Sequence, residues 1–157
     1  MDMTGEHRIA APRDVVWRAL NDEAVLRECI PGCQELAKQS DTEFSATIVQ
    51  KIGPVKAKFT GNVELTNMSA PDSYTIRGEG SGGVAGFAKG GADVALIEDG
   101  GETILTYTVH ATIGGKLARL GSRLIDSTAR KLAGQFFESF EAYLNPAALN
   151  ETDSDAA

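Results

Sequence analysis

The sequence predicts a single α+β domain in which a curved antiparallel sheet closes around one long C-terminal helix. Three observations carry this. Residues Lys116–Leu144 hold two adjoining apolar rows at helical spacing. The segment from Phe44 to Ile113 alternates with period two. Two short helical patterns stand between a first strand and that alternating segment.

In the C-terminal segment Leu120, Leu124, Thr128, Leu132, Phe136, Phe140 and Leu144 recur every four residues. Leu117, Gly121, Ile125, Ala129, Ala133 and Phe137 form a second row beside them. Together they make a wide apolar stripe that another element must cover. No proline interrupts the run, and Pro146 follows it. At about 1.5 Å per residue the helix would extend roughly 40 Å. Its second half carries Phe136, Phe137 and Phe140, bulky enough to fill a core. Its first half carries Gly121 and Ala129, which either let helix and sheet pack closely or leave room for a ligand. The glycine costs about 1 kcal/mol against alanine inside a helix, so it needs one of those reasons.

From the N-terminus, Thr4–Ala10 reads as a strand. Pro12–Asn21 reads as a helix with Pro12 at its start and Asp14 in its first turn, burying Val16, Trp17 and Leu20. A second helix over Glu23–Glu28 leads to Cys29–Cys33, where Pro31-Gly32 suits the centre of a type II turn. The alternating runs then follow. Phe44, Ala46 and Ile48 share one face, as do Val55, Ala57, Phe59, Gly61, Val63 and Leu65. Tyr74, Ile76 and Gly78, then Ala92, Val94 and Leu96, and finally Leu105, Tyr107, Val109, Ala111 and Ile113 continue the pattern. One dry and one wet face per run marks an antiparallel sheet. Gly53-Pro54, Ala70-Pro71-Asp72 and Asp99-Gly100-Gly101 supply the turns, and a meander of about six strands is the simplest topology. Residues 145–157, NPAALNETDSDAA, read as a disordered acidic tail, leaving 1–144 as the one domain.

Composition narrows the function classes. The 157 residues are 42% hydrophobic, with no run long enough to span a membrane and no signal-peptide core, so a cytoplasmic location is expected. A net charge of −7 argues against nucleic acid as a partner. The basic residues are uneven: Lys116, Arg119, Arg123, Arg130 and Lys131 fall close together with only Asp126 among them. That face is either simply solvated or a dock for anionic headgroups or an acidic protein surface.

No catalytic motif holds up. Gly78-Glu79-Gly80-Ser81-Gly82-Gly83 has the spacing of a dinucleotide fingerprint, but a strand follows it where that motif requires a helix. Its glycines are expected to bulge or pack strands closely, with Phe87 among them as a core residue or a pocket lid. Cys29 and Cys33 do not fill a zinc site and lack redox-motif spacing. Inward faces carry almost no titratable group beyond Tyr74 and Tyr107, with Gln50 a further polar candidate; His110 falls on the wet face. No nucleophile–base pair is present, so an enzyme is not expected. Such an interior suits an apolar guest, with a tyrosine to meet a carbonyl or hydroxyl.

Several stretches together resemble one family. They are Gly5-Glu6, Ala11-Pro12 to Trp17, Ala19-Leu20-Asn21-Asp22, Cys29–Cys33, Lys51–Ala57, Gly86–Gly90, Gly114–Ala118, Gly121–Ile125 and Phe136-Phe137. Over about residues 3–144 the chain resembles the carbon monoxide dehydrogenase G-subunit family of the START-like (SRPBCC) helix-grip superfamily. The resemblance implies a seven-stranded antiparallel sheet wrapped around the C-terminal helix, two short helices after strand one, and an apolar cavity between sheet and helix. It also implies a molybdenum-containing carbon monoxide dehydrogenase as partner and a transient place at the inner face of the cell membrane. Some members carry an apolar C-terminal anchor, whereas this sequence closes on its acidic stretch.

Two functions follow as expectations. In the first, the protein is a non-enzymatic carrier of a hydrophobic, lipid-like small molecule. That dehydrogenase must reach a membrane quinone, so the guest is expected to be menaquinone or ubiquinone, with no metal. The expected lining is Phe59, Phe87, Tyr107, Ile113, Leu117, Leu120, Gly121, Leu124 and Ile125. In the second, the protein is an adaptor that recruits the dehydrogenase to the membrane and holds nothing inside.

Overall fold

The computed structural model describes residues 1–145. The strands are β1 (Asp2–Ile9), β2 (Cys33–Ser40), β3 (Glu43–Ile52), β4 (Val55–Ser69), β5 (Ser73–Ser81), β6 (Phe87–Asp99) and β7 (Glu102–Gly114). They form one antiparallel sheet in the order β1-β7-β6-β5-β4-β3-β2. The meander from β2 to β7 is as the turn residues dictate, and β1 closes the far edge against β7. Helices α1 (Arg13–Leu20) and α2 (Glu23–Cys29) connect β1 to β2, and α3 (Ser122–Leu144) follows β7. The tail expected over residues 145–157 lies, beyond Asn145, outside the described residues.

Local chemistry explains the element ends. Asp22 caps α2, its carboxylate accepting from the backbone N–H of Ala24 at 2.8 Å and of Val25 at 3.3 Å. At the Pro31-Gly32 turn Gly32 has φ +74, and a Cβ there would lie 2.1 Å from the Val49 carbonyl oxygen. Only glycine meets both demands. Buried Thr103 donates its hydroxyl to the Ala11 carbonyl at 2.7 Å, tying β7 to the β1–α1 connection.

The core lies under α1, α2 and the second half of α3. Ile9, Val16, Cys29, Leu105 and Phe140 are almost wholly buried there. The expected inward rows of β3 to β7 supply Phe44, Leu65, Tyr74, Val94, Leu96 and Leu105 to it.

The C-terminal helix departs from its expected span. Residues Gly115–Leu120 form a 3-10 stretch, and Gly121 has φ +91, so the α-helix starts at Ser122 rather than Lys116. Its 23 residues extend about 35 Å at 1.5 Å per residue. Nothing stands within 4 Å of the position a Gly121 Cβ would take. The glycine is there for its backbone conformation, and close packing does not require it. Along α3 only Phe137 and Phe140 are buried, while Leu124, Ile125, Leu132 and Ala133 are half-buried. The sheet therefore grips the aromatic half of the helix and leaves the aliphatic half incompletely covered.

Candidate functional site

Between sheet and helix lies a cavity of about 330 Å³, within the range of roughly 300–1,000 Å³ usual for small-molecule sites. Every strand contributes to its wall, β4 to β7 with two residues or more, and Ala133, Phe136 and Phe137 of α3 form the roof. Of eighteen lining residues only Tyr74 and Tyr107 carry a polar oxygen on the side chain. Tyr74 is 4% exposed, sits edge-on to Trp17, and its hydroxyl is unpartnered among the described residues. Burial pushes its phenol far above the ordinary range, so it stays protonated and able to donate.

A second apolar space of about 310 Å³ continues along the same sheet face, sharing Val63, Ile76, Ala92 and Val109 with the first. Its floor is made of small residues on adjacent strands: Ala46, Gly61, Gly78, Gly80, Gly90 and Ala111. The register sets Gly61 opposite Gly80 and Gly78 opposite Gly90. Large side chains that would fill the trough are therefore missing from neighbouring strands at one level. From Leu105 to Ala111 along β7 the two spaces together span about 20 Å at 3.3 Å per residue. The arrangement can hold an elongated apolar molecule, wide at the aromatic end and thin over the glycines. A larger groove of about 870 Å³ on the outer face is lined by Glu64, Arg77, Glu79, Lys89 and Asp93 and is a wet surface feature.

The nine residues expected to line a cavity separate into groups. Tyr107 lines the first space and Phe59 the second. Leu117 is buried in the 3-10 stretch, and Leu120 and Leu124 pack over Gly53 of the β3–β4 turn. Ile113, Gly121 and Ile125 belong to the same end, where β7 runs into α3, and line neither space. Phe87 lies on the outer face across Gly114, 43% exposed. Gln50 donates its amide to the Pro31 carbonyl at 2.9 Å and so braces the Cys29–Cys33 turn. His110 is on the wet face as expected, 2.7 Å from Asp2.

His7 is a participant that the apolar pattern of the sequence does not mark. It stacks with Tyr107 and Phe137 at centroid distances of 6.2 and 4.1 Å, beside the roof of the first space. The signal for it is the alternation of Met3, Gly5, His7 and Ile9 against Asp2, Thr4, Glu6 and Arg8. Among the described residues no group of His, Cys, Asp or Glu is placed to hold a metal, and no helix is long and apolar enough to cross a membrane.

Sheet, helix and cavity together define a helix-grip fold. The chain belongs to the carbon monoxide dehydrogenase G-subunit (CoxG) family, whose model matches residues 5–145. A conserved protein from Geobacillus kaustophilus has the same fold, with a TM-score of 0.88 at 28% identity over 94% of this chain and 97% of that one. A START superfamily protein from Mycobacterium smegmatis matches at TM-score 0.70 and 10% identity, covering 93% and 98% of the two chains. A STAR-related lipid transfer protein fragment from Xanthomonas axonopodis matches at 0.61 and 21%, covering 92% and 85%. No curated protein matches the sequence.

Proposed function

We propose that this protein is a non-enzymatic binder of a hydrophobic, lipid-like molecule, which it carries between the inner face of the cell membrane and a carbon monoxide dehydrogenase. The observation that carries the reading is the adjoining pair of apolar spaces, about 330 and 310 Å³, with the buried residue Tyr74 lining the first and its hydroxyl making no hydrogen bond among the described residues. A purely structural core would be closed by side chains at native density, whereas the glycine and alanine floor withholds them. The family supports the dehydrogenase as partner, and the STAR-related neighbour supports a lipid-like guest.

A respiratory quinone, menaquinone or ubiquinone, fits these features. Its ring would lie among Tyr107, Phe136 and Phe137, one carbonyl oxygen would accept from Tyr74, and its isoprenoid tail would run over the glycines. Offset aromatic stacking and one donated hydrogen bond would orient it without any ionised group. Electrons would pass on the quinone itself, so the protein needs no redox group of its own.

Organic extraction of the purified protein followed by mass spectrometry tests this reading. A prenylated quinone at near-stoichiometric yield is the expected result. Extracts free of any apolar guest, together with failure to take up added menaquinone from micelles, would leave the adaptor role alone.

A further inference from the structure

The antiparallel order gathers strand connections at each end of the sheet. At one end lie the β3–β4 turn, the β5–β6 loop and the β7–α3 passage; residues 51–56, 81–88 and 114–123 cover them. These segments carry Lys51, Lys56, Lys116, Arg119 and Arg123, all exposed, and no acid. At the other end residues 40–43, 69–73 and 98–102 carry Asp41, Glu43, Asp72, Glu98, Asp99 and Glu102, and no base. The molecule is thus electrically polar along its strands despite a net charge of −7.

The two ends also differ in what their charges do. Acids of the second end are partly neutralised within the fold: Arg8 bridges Asp99 and Glu102, and Arg13 bridges Asp72. None of the five cations of the first end is ion-paired among the described residues. Between them Val84 stands 85% exposed at the tip of the glycine-flanked turn Gly83–Ala85, with Phe87 beside it at 43%. An exposed aliphatic tip inside a collar of unpaired cations is the chemistry of a membrane interface. The aliphatic group gains from shallow burial among acyl chains and the cations from headgroup phosphates. A protein hot spot would instead call for a large aromatic or arginine anchor set in a broad complementary patch.

We propose that this end docks reversibly on an anionic lipid bilayer, Val84 entering the headgroup layer and Lys51, Lys56, Lys116, Arg119 and Arg123 facing lipid phosphates. The glycine-floored space reaches Gly80 and Ala88, next to this turn, so docking would bring the trough to the lipid. What the docking is for rests on the carrier reading; whether it occurs does not.

Co-flotation of the full chain with vesicles tests it. Binding is expected to phosphatidylglycerol–phosphatidylcholine vesicles but not to phosphatidylcholine alone, with release as salt rises. Arg119→Glu should weaken binding at least about fivefold, since each cation near an anionic surface contributes about that factor. Val84→Asp should do likewise with an unchanged circular dichroism spectrum, while Asp41→Asn at the opposite end should not weaken it. Failure of the unmodified chain to float with anionic vesicles, or indifference to both Arg119→Glu and Val84→Asp, overturns the proposal. An acidic protein face would then be the occupant. Organic extracts of the same preparation report on the cavity separately, so failed docking and a failed carrier reading are told apart.

Discussion

His7 stacks on Phe137 with ring centroids 4.1 Å apart and planes 23° from parallel, which joins the edge strand β1 to the gripped half of α3. Tyr107 lies 5.7 Å from the same phenylalanine and completes a triangle of rings. Its own ring passes over Gly5, where a Cβ would come within 2.3 Å of it. Aromatic pairs contribute about 1 kcal/mol beyond their buried area. His7→Ala is therefore expected to lower the unfolding free energy by about 1 kcal/mol or somewhat more, and His7→Phe to recover most of it. Equal losses for the two variants in denaturant titrations would show that stacking is not the source.

Ala133 is the small residue in the roof of the first space. Replacing it with phenylalanine puts a ring where the guest's wide end is expected. Ala133→Phe should reduce uptake of an apolar fluorescent probe at least about tenfold. Its cost to stability should stay within the roughly 1–3 kcal/mol of an overpacked site, because the ring enters existing space. Ser127→Phe, on the exposed side of α3, is the matched control and should leave uptake unchanged. Undiminished uptake by Ala133→Phe would place the probe elsewhere.

Tyr74 gives a sharper test, since the residue is buried against the cavity while its hydroxyl makes no hydrogen bond among the described residues. Removing a hydroxyl that makes no hydrogen bond within the fold should leave the empty protein about as stable. Removing one that donates to a guest should weaken an oxygen-bearing guest by up to about tenfold, the worth of one hydrogen bond. Tyr74→Phe is thus expected to weaken quinone binding several-fold and to leave binding of a pure hydrocarbon of the same size unchanged. Equal affinity of wild type and variant for the quinone would release Tyr74 from this role.

Much of this architecture is legible in the sequence because it follows from periodicity. The alternation of Val55–Leu65 and Leu105–Ile113 sorts dry from wet faces, and Pro31-Gly32 marks a turn that the Gly32 conformation confirms. The cavity floor is less legible. Gly61, Gly78, Gly80 and Gly90 come together only through strand register, which no single run of sequence displays. Leu117, Leu120 and Leu124 read as lining because an unbroken helix would carry them along the sheet. The left-handed Gly121 instead turns that segment onto Gly53 and the end of the fold. His7 is obscured by the short N-terminal run, where glycine and histidine occupy inward positions that hydrophobicity alone does not mark.

Two glycines near and within α3 should respond in opposite senses. Gly121 sits at φ +91, where an L side chain is strained whatever the space around it. Gly121→Ala is expected to destabilise by about 1–3 kcal/mol. Gly134 lies exposed in the helix interior, and an added Cβ there would meet nothing within 4 Å. Gly134→Ala should stabilise by about 1 kcal/mol through helix propensity alone. Thermal melts of the two variants decide the matter. A destabilised Gly134→Ala would mean that the exposed glycine makes room for a partner or guest.

The two cysteines make the pH dependence of stability asymmetric. Cys29 is buried on α2, and burial, assisted by the nearby Glu28 charge, pushes its thiol from 9.0 up to about 11. Cys33 shifts in the same direction, again chiefly by burial, but is less enclosed. The folded state holds these protons to higher pH than the unfolded chain does. Their stabilising contribution is therefore complete below about pH 9 and is lost as pH rises from 9 toward 11. Urea midpoints should fall across that window, and Cys29→Ala should flatten the fall even if it lowers the midpoint at neutral pH. Thiol labelling of the native protein at about pH 8 should modify Cys33 first and reach Cys29 only on unfolding. An equal rate at both positions, or a midpoint that ignores the window, would mean that Cys29 is open to solvent in the folded protein.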